Sequence, residues 1–103
     1  MIYHIVETEG LRDYSPDGVR PTPLLNTDEI RALLLNLDTG QAVAPCRMSV
    51  PVLYYVIEGQ GHLRVDQEQT ELRVGSLAVV PAGAVRSISA AEPMRVLAVQ
   101  VLP

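Results

Sequence analysis

Residues 40–59 read GQAVAPCRMSVPVLYYVIEG, and residues 75–86 read GSLAVVPAGAVR. In the first stretch a turn residue, Gly40, opens a run rich in Val and Ala, Ser49 and Pro51 interrupt it, and VLYYVI leads to Gly59. In the second, SLAVV runs into Pro81-Ala82-Gly83. β-branched and aromatic residues in runs of four to seven, closed by Gly and Pro, indicate short strands joined by tight turns. The punctuation continues outward with Gly59-Gln60-Gly61, Gln67-Glu68-Gln69, Gly75-Ser76 and Ala91-Glu92-Pro93. It predicts strands near 42–48, 52–58, 62–66, 70–74, 77–80, 85–89 and 94–102.

Upstream, residues 1–6 read as a short strand, Ser15-Pro16-Asp17-Gly18 has the residues of a tight turn, and Pro21 and Pro23 confine their segment to an edge strand or extended arm. Asn26-Thr27-Asp28 has helix-capping residues, and IRALLLNL is short enough for either type of element. A strand buried on both faces is the preferred reading, because the apolar run ends at Asp38-Thr39-Gly40. Many short strands, with no helical period and no internal repeat, make the chain all-β, an antiparallel sandwich or barrel.

The spacing of these residues resembles the two motifs of the cupin superfamily, G-x5-H-x-H-x3-E-x6-G and G-x5-P-x-G-x2-H. Gly40, Gly59, Gly75, Pro81 and Gly83 fall on the framework positions. The resemblance implies a cupin-type jelly-roll, a double-stranded β-helix barrel over residues 30–103, preceded by an N-terminal arm and edge strands in residues 1–29. In that family three His and one Glu hold a metal. The matching positions here carry Cys46, Met48, Val52 and Arg86. The expectation is therefore a degenerate metal site in a metal-free barrel with no cofactor, since Fe(II), Mn(II) or Ni(II) wants imidazole and carboxylate and the whole chain has only His4 and His62.

Side chains alternate along a strand, so Cys46 and Met48 share a face, with Val52 and Arg86 approaching from neighbouring strands. A thiolate and a thioether suit a soft ion such as Cu(I), while both residues also serve as ordinary apolar filling. An inward Arg86 is a permanent charge that needs an answer: an anionic ligand held by the guanidinium, or a surface acid reached at the mouth. Tyr54 shares parity with Val52, and Tyr55 faces the other way. The expected ligand pocket is Cys46, Met48, Val52, Tyr54 and Arg86. His62 shares a solvated face with Arg64 and Asp66, and no base adjoins Cys46 in sequence to make it a nucleophile.

The 103 residues amount to one domain, with 48% hydrophobic residues but no Trp or Phe, which suits a core of Val, Leu, Ile and Ala. A positive mean hydropathy in so short a chain suggests apolar surface buried between subunits, and a homodimer is expected. The net charge of −4 and the absence of any basic run exclude a nucleic-acid or anionic-membrane partner. All eight basic residues are Arg, which excludes Schiff-base chemistry on Lys. One Cys and no leader-like or spanning segment point to the reducing cytoplasm. A binding or sensory module for a small, anionic molecule is the leading functional reading. A metal-independent isomerase, epimerase or lyase, a soft-metal protein, and a structural dimer with a filled barrel are the others.

Overall fold

Turns at the expected glycines and prolines cut the chain into nine antiparallel strands in the computed structural model, which describes residues 3–103. They are β1 (Arg20–Asn26), β2 (Ile30–Leu37), β3 (Ala42–Arg47), β4 (Val52–Glu58), β5 (Gly61–Val65), β6 (Glu68–Leu72), β7 (Leu77–Val80), β8 (Val85–Ala90) and β9 (Met94–Val101). One sheet has the order β1-β2-β9-β4-β7 and the other β3-β8-β5-β6. From β2 onward the chain alternates between the sheets, except for the β5–β6 hairpin. That alternation is the jelly-roll connectivity. No helix among the described residues is long and apolar enough to cross a membrane.

Strand β2 resolves the helix-or-strand ambiguity. It pairs with β1 on one side and β9 on the other, and Leu34, Asn36 and Leu37 are fully buried. Leu35 and Leu37 face the interior between the sheets, beside Val96 and Met94. The opposite face of β2 is covered by the N-terminal segment, whose Thr8 carbonyl accepts a hydrogen bond from Arg95 of β9. Pro21 and Pro23 lie in β1, which is the sheet edge, where a missing N–H costs no ladder bond.

Three local readings are corrected. Of the strand expected at residues 1–6, the first two lie outside the described residues, and Tyr3, His4, Ile5 and Val6 form no strand. The strand expected at 70–74 begins earlier, at Glu68, because the chain reverses at Asp66-Gln67. Asp66 adopts a positive φ of 52°, which Asp tolerates, and its Oδ1 accepts the Val85 N–H. Strict alternation fails in β3, where Val43 opposes Ile88 but Cys46, three residues on, opposes Arg86, two residues back. The extra residue is a β-bulge at Ala44-Pro45, on an edge strand. A second bulge in β4 sets Val56 against Val96 and Glu58 against Arg95. Inward parity would have sent Glu58 into the core; the bulge turns it to the outer face.

Candidate ligand site at the barrel mouth

Arg86 lies inside the barrel, 2% exposed, on β8. Three neutral acceptors hold its guanidinium: Nε donates to the Ala84 carbonyl at 3.2 Å, Nη2 to the Pro81 carbonyl at 3.1 Å, and Nη1 to the Tyr54 hydroxyl at 3.2 Å. Among the described residues it makes no ion pair. The loop 81–84 is thus clamped from beneath by the side chain that follows it. The same loop is fastened from the side, since the Gly83 N–H donates to the Met48 carbonyl at 2.9 Å.

A hollow of about 480 Å³ opens at this place, lined by Arg47, Met48, Ser49, Ala82 and Gly83. Its size suits a small molecule. Arg47 and Ser49, both exposed, are its polar side chains, and neither was singled out by alternation from the motif positions. The signal that could have found them is the Pro81-Ala82-Gly83 turn, which a strand end at residues 47–49 has to face if Arg86 and Cys46 are cross-strand partners.

The structure separates the five residues expected to share a pocket. Arg86 and Tyr54 are joined directly, with Tyr54 7% exposed. Val52 is 2% exposed and belongs to the core, paired with Val80. Met48 lines the hollow and packs against the core. Cys46 is the outlier. It stands opposite Arg86 on β3, the edge of its sheet, and is exposed. Tyr55 faces outward as expected, and His62 is half-buried on β5 beside exposed Arg64.

The residues at the four motif positions do not fit a bound divalent metal. They present one exposed thiol, one thioether, an aliphatic side chain and a guanidinium already committed to three oxygens. Among the described residues no three His, Cys, Asp or Glu gather into a group that could hold a metal ion.

A second charged group sits on the outer face of the five-stranded sheet. Glu58 Oε2 lies 2.5 Å from Nη1 of Arg12, and its Oε1 lies 3.4 Å from Nη1 of buried Arg95. The hydrogen bond from Arg12 is the main reason the Glu58 carboxyl is held below the usual carboxylate range; its bond to Glu58 likewise raises Arg12. Burial, followed by the charge of Glu58, pushes the Tyr14 phenol up.

A family model described as Cupin domain matches residues 34–100. No curated protein matches the chain. Among solved structures, TT1209 from Thermus thermophilus is 28% identical with a TM-score of 0.89, over 95% of this chain and 96% of that one. SPY1581, a conserved protein of unknown function from Streptococcus pyogenes, is 22% identical with a TM-score of 0.84, over 99% and 91%. A salicylate 1,2-dioxygenase mutant from Pseudoaminobacter salicylatoxidans is 20% identical with a TM-score of 0.79, over 84% of this chain but only 27% of the enzyme, and shares the fold alone.

Proposed function

The chain belongs to the cupin family, and from that premise we propose that it is a binding module which takes a small anionic molecule at the barrel mouth. The observation that carries this reading is Arg86: a guanidinium 2% exposed, met by two carbonyls and a phenol but by no carboxylate. A buried charge with only neutral partners leaves a positive field, which is strongest where solvent does not screen it. The hollow is lined by Ala82 and Gly83 of the loop whose flanking carbonyls Arg86 holds, and Arg47 in its lining supplies a second, accessible positive charge. Arg47 gathers the anion, Ser49 and the loop orient it, and Arg86 holds the field fixed. Acid–base chemistry has little to work with here, since Tyr54 and Arg86 are committed to each other.

A homodimer fits the same molecule. On the outer face of the five-stranded sheet, Leu77 opposes Tyr55, which opposes Leu97, and Val79 opposes Leu53, which opposes Val99. Leu77 and Val79 are 62% and 63% exposed, an apolar surface that water disfavours and a second copy would cover. A reducing cytoplasmic setting suits the single exposed thiol, Cys46.

The test is an NMR titration of the labelled chain with benzoate, acetate and inorganic phosphate in turn, at constant ionic strength. Saturable shifts at Arg47, Ser49 and Gly83 are expected for at least one anion, weakened at least tenfold in Arg47→Ala and in Arg86→Met. Equal weak shifts in wild type and both variants would overturn the reading.

A further inference from the structure

We infer that Arg95 and Asn36 form a second site, for a small oxyanion, closed by the N-terminal segment. The two residues are cross-strand partners on β9 and β2, on the face turned away from the core. Both are completely buried. Nε and Nη1 of Arg95, and Oδ1 and Nδ2 of Asn36, have no hydrogen-bond partner among the described residues. Buried polar atoms are almost always met, so two neighbouring side chains with unmet atoms can take up a polar ligand without giving up bonds at those atoms.

The donors say what that ligand is. On these two cross-strand neighbours the unmet donors are Nε–H and Nη1–H of a guanidinium and the amide N–H of Asn36, against a single amide acceptor. A cation is repelled there, and an apolar molecule leaves every donor unmet. An oxyanion with two or more oxygens accepts from both residues at once and supplies a charge-assisted hydrogen bond at Nε, which no carboxylate reaches. Glu58 fills that role only at Nη1, as an ion pair too long for a strong hydrogen bond. Its Oε1 stands 3.4 Å from Arg95, while Oε2 is drawn 2.5 Å from Arg12. The remaining partner of Arg95 is a neutral one, the Thr8 carbonyl.

Entry is possible without breaking a sheet. Residues 8–14 belong to no strand, and the segment is fastened by the Thr8 carbonyl to Arg95, by Arg12 to Glu58, and by the Ser15 carbonyl to Gln41 Nε2 at 2.5 Å. When it lifts, an oxygen of the anion replaces the Thr8 carbonyl on Nη2 and others reach Nε and Asn36. Anion binding and release of the segment are therefore one equilibrium, and each favours the other.

The experiment titrates the full chain separately with sodium formate and sodium phosphate, at constant ionic strength, and observes the Arg95 Nε–H and the Asn36 side-chain amide by NMR. One or both anions are expected to give saturable shifts at these two groups, formate alone identifying a carboxylate site and phosphate alone a phosphate site. Hydrogen exchange at residues 8–15 is expected to speed up with occupancy. Asn36→Leu is expected to weaken binding roughly tenfold or more. Shifts at Arg47 and Gly83 report the barrel mouth independently, so the two sites succeed or fail separately. The inference is overturned if neither anion saturates at Arg95 and Asn36 and water alone meets them, if exchange at residues 8–15 is unchanged or slower in wild type, or if Asn36→Leu binds as wild type does.

Discussion

The Tyr54 hydroxyl accepts a 3.2 Å hydrogen bond from Arg86 and so ties β4, in the five-stranded sheet, to β8, in the four-stranded one. The same guanidinium holds the carbonyls of Pro81 and Ala84, which makes one side chain the brace between both sheets and the mouth loop. Tyr54→Phe removes an acceptor but leaves the buried donor, and is expected to lower stability by about 1–3 kcal/mol. Arg86→Met removes the charge with its need for partners and is expected to cost less than Tyr54→Phe. Urea denaturation of the two variants checks the order, and a Tyr54→Phe midpoint equal to wild type would show that the bond contributes nothing.

Glycines of the framework do different work, and the structure ranks them. A methyl group on Gly61 would run into the Ser89 carbonyl and the Met94 sulfur, and nothing there can yield cheaply. Gly61→Ala is expected to cost about 2–3 kcal/mol. Gly75 has a φ of +89° but open space around it, so Gly75→Ala meets only backbone strain, roughly 1–2 kcal/mol. Thermal unfolding of both variants tests whether close approach outweighs conformation here.

Attachment of the N-terminal segment depends on pH through Glu58. Its carboxyl is held below the ordinary value by Arg12, so the pairing is fully present above the usual glutamate value of 4.5 and fades as pH falls through the lower, folded one. Hydrogen-exchange protection at residues 8–15, taken relative to the intrinsic rate at each pH, is expected to fall as the solution is acidified below pH 4.5, and Glu58→Gln to show the reduced protection already at neutral pH. The pair faces solvent, so added salt weakens it as well.

Self-association is tested on the apolar outer face. Sedimentation of the wild type at tens of micromolar is expected to give twice the chain mass. Leu77→Glu with Val79→Glu is expected to give a monomer, because it sets two charges among apolar neighbours without touching the core. A wild type that stays monomeric would remove the homodimer.

Much of the fold was legible because its signals are local. The turns at Gly40, Gly59 and Gly75, the edge prolines of β1 and the both-face burial of β2 follow from residue type and spacing. The motif register placed Arg86 at a position that could point inward, and parity with Val52 set Tyr54 on one face and Tyr55 on the other; Arg86 and Tyr54 are buried and Tyr55 is exposed. The site was less legible because bulges break parity. One extra residue between Val43 and Cys46 sets Cys46, rather than Pro45, opposite Arg86, and another in β4 brings Glu58 to Arg95. Pro45 hints at the first, while the second has no residue to announce it. Nor does any local pattern mark Asn36 or Arg95, whose burial comes from a segment more than twenty residues away in sequence that folds over them.

The brace at Arg86 has a consequence for where this barrel can operate. Its central positive charge is part of the polypeptide, a guanidinium held by two carbonyls and a phenol. A chelator cannot remove it, an oxidant cannot change its valence, and no loading step has to precede it when the chain leaves the ribosome. A molecule taken up at the mouth, as proposed, would meet the same fixed field in iron-starved and iron-replete conditions alike.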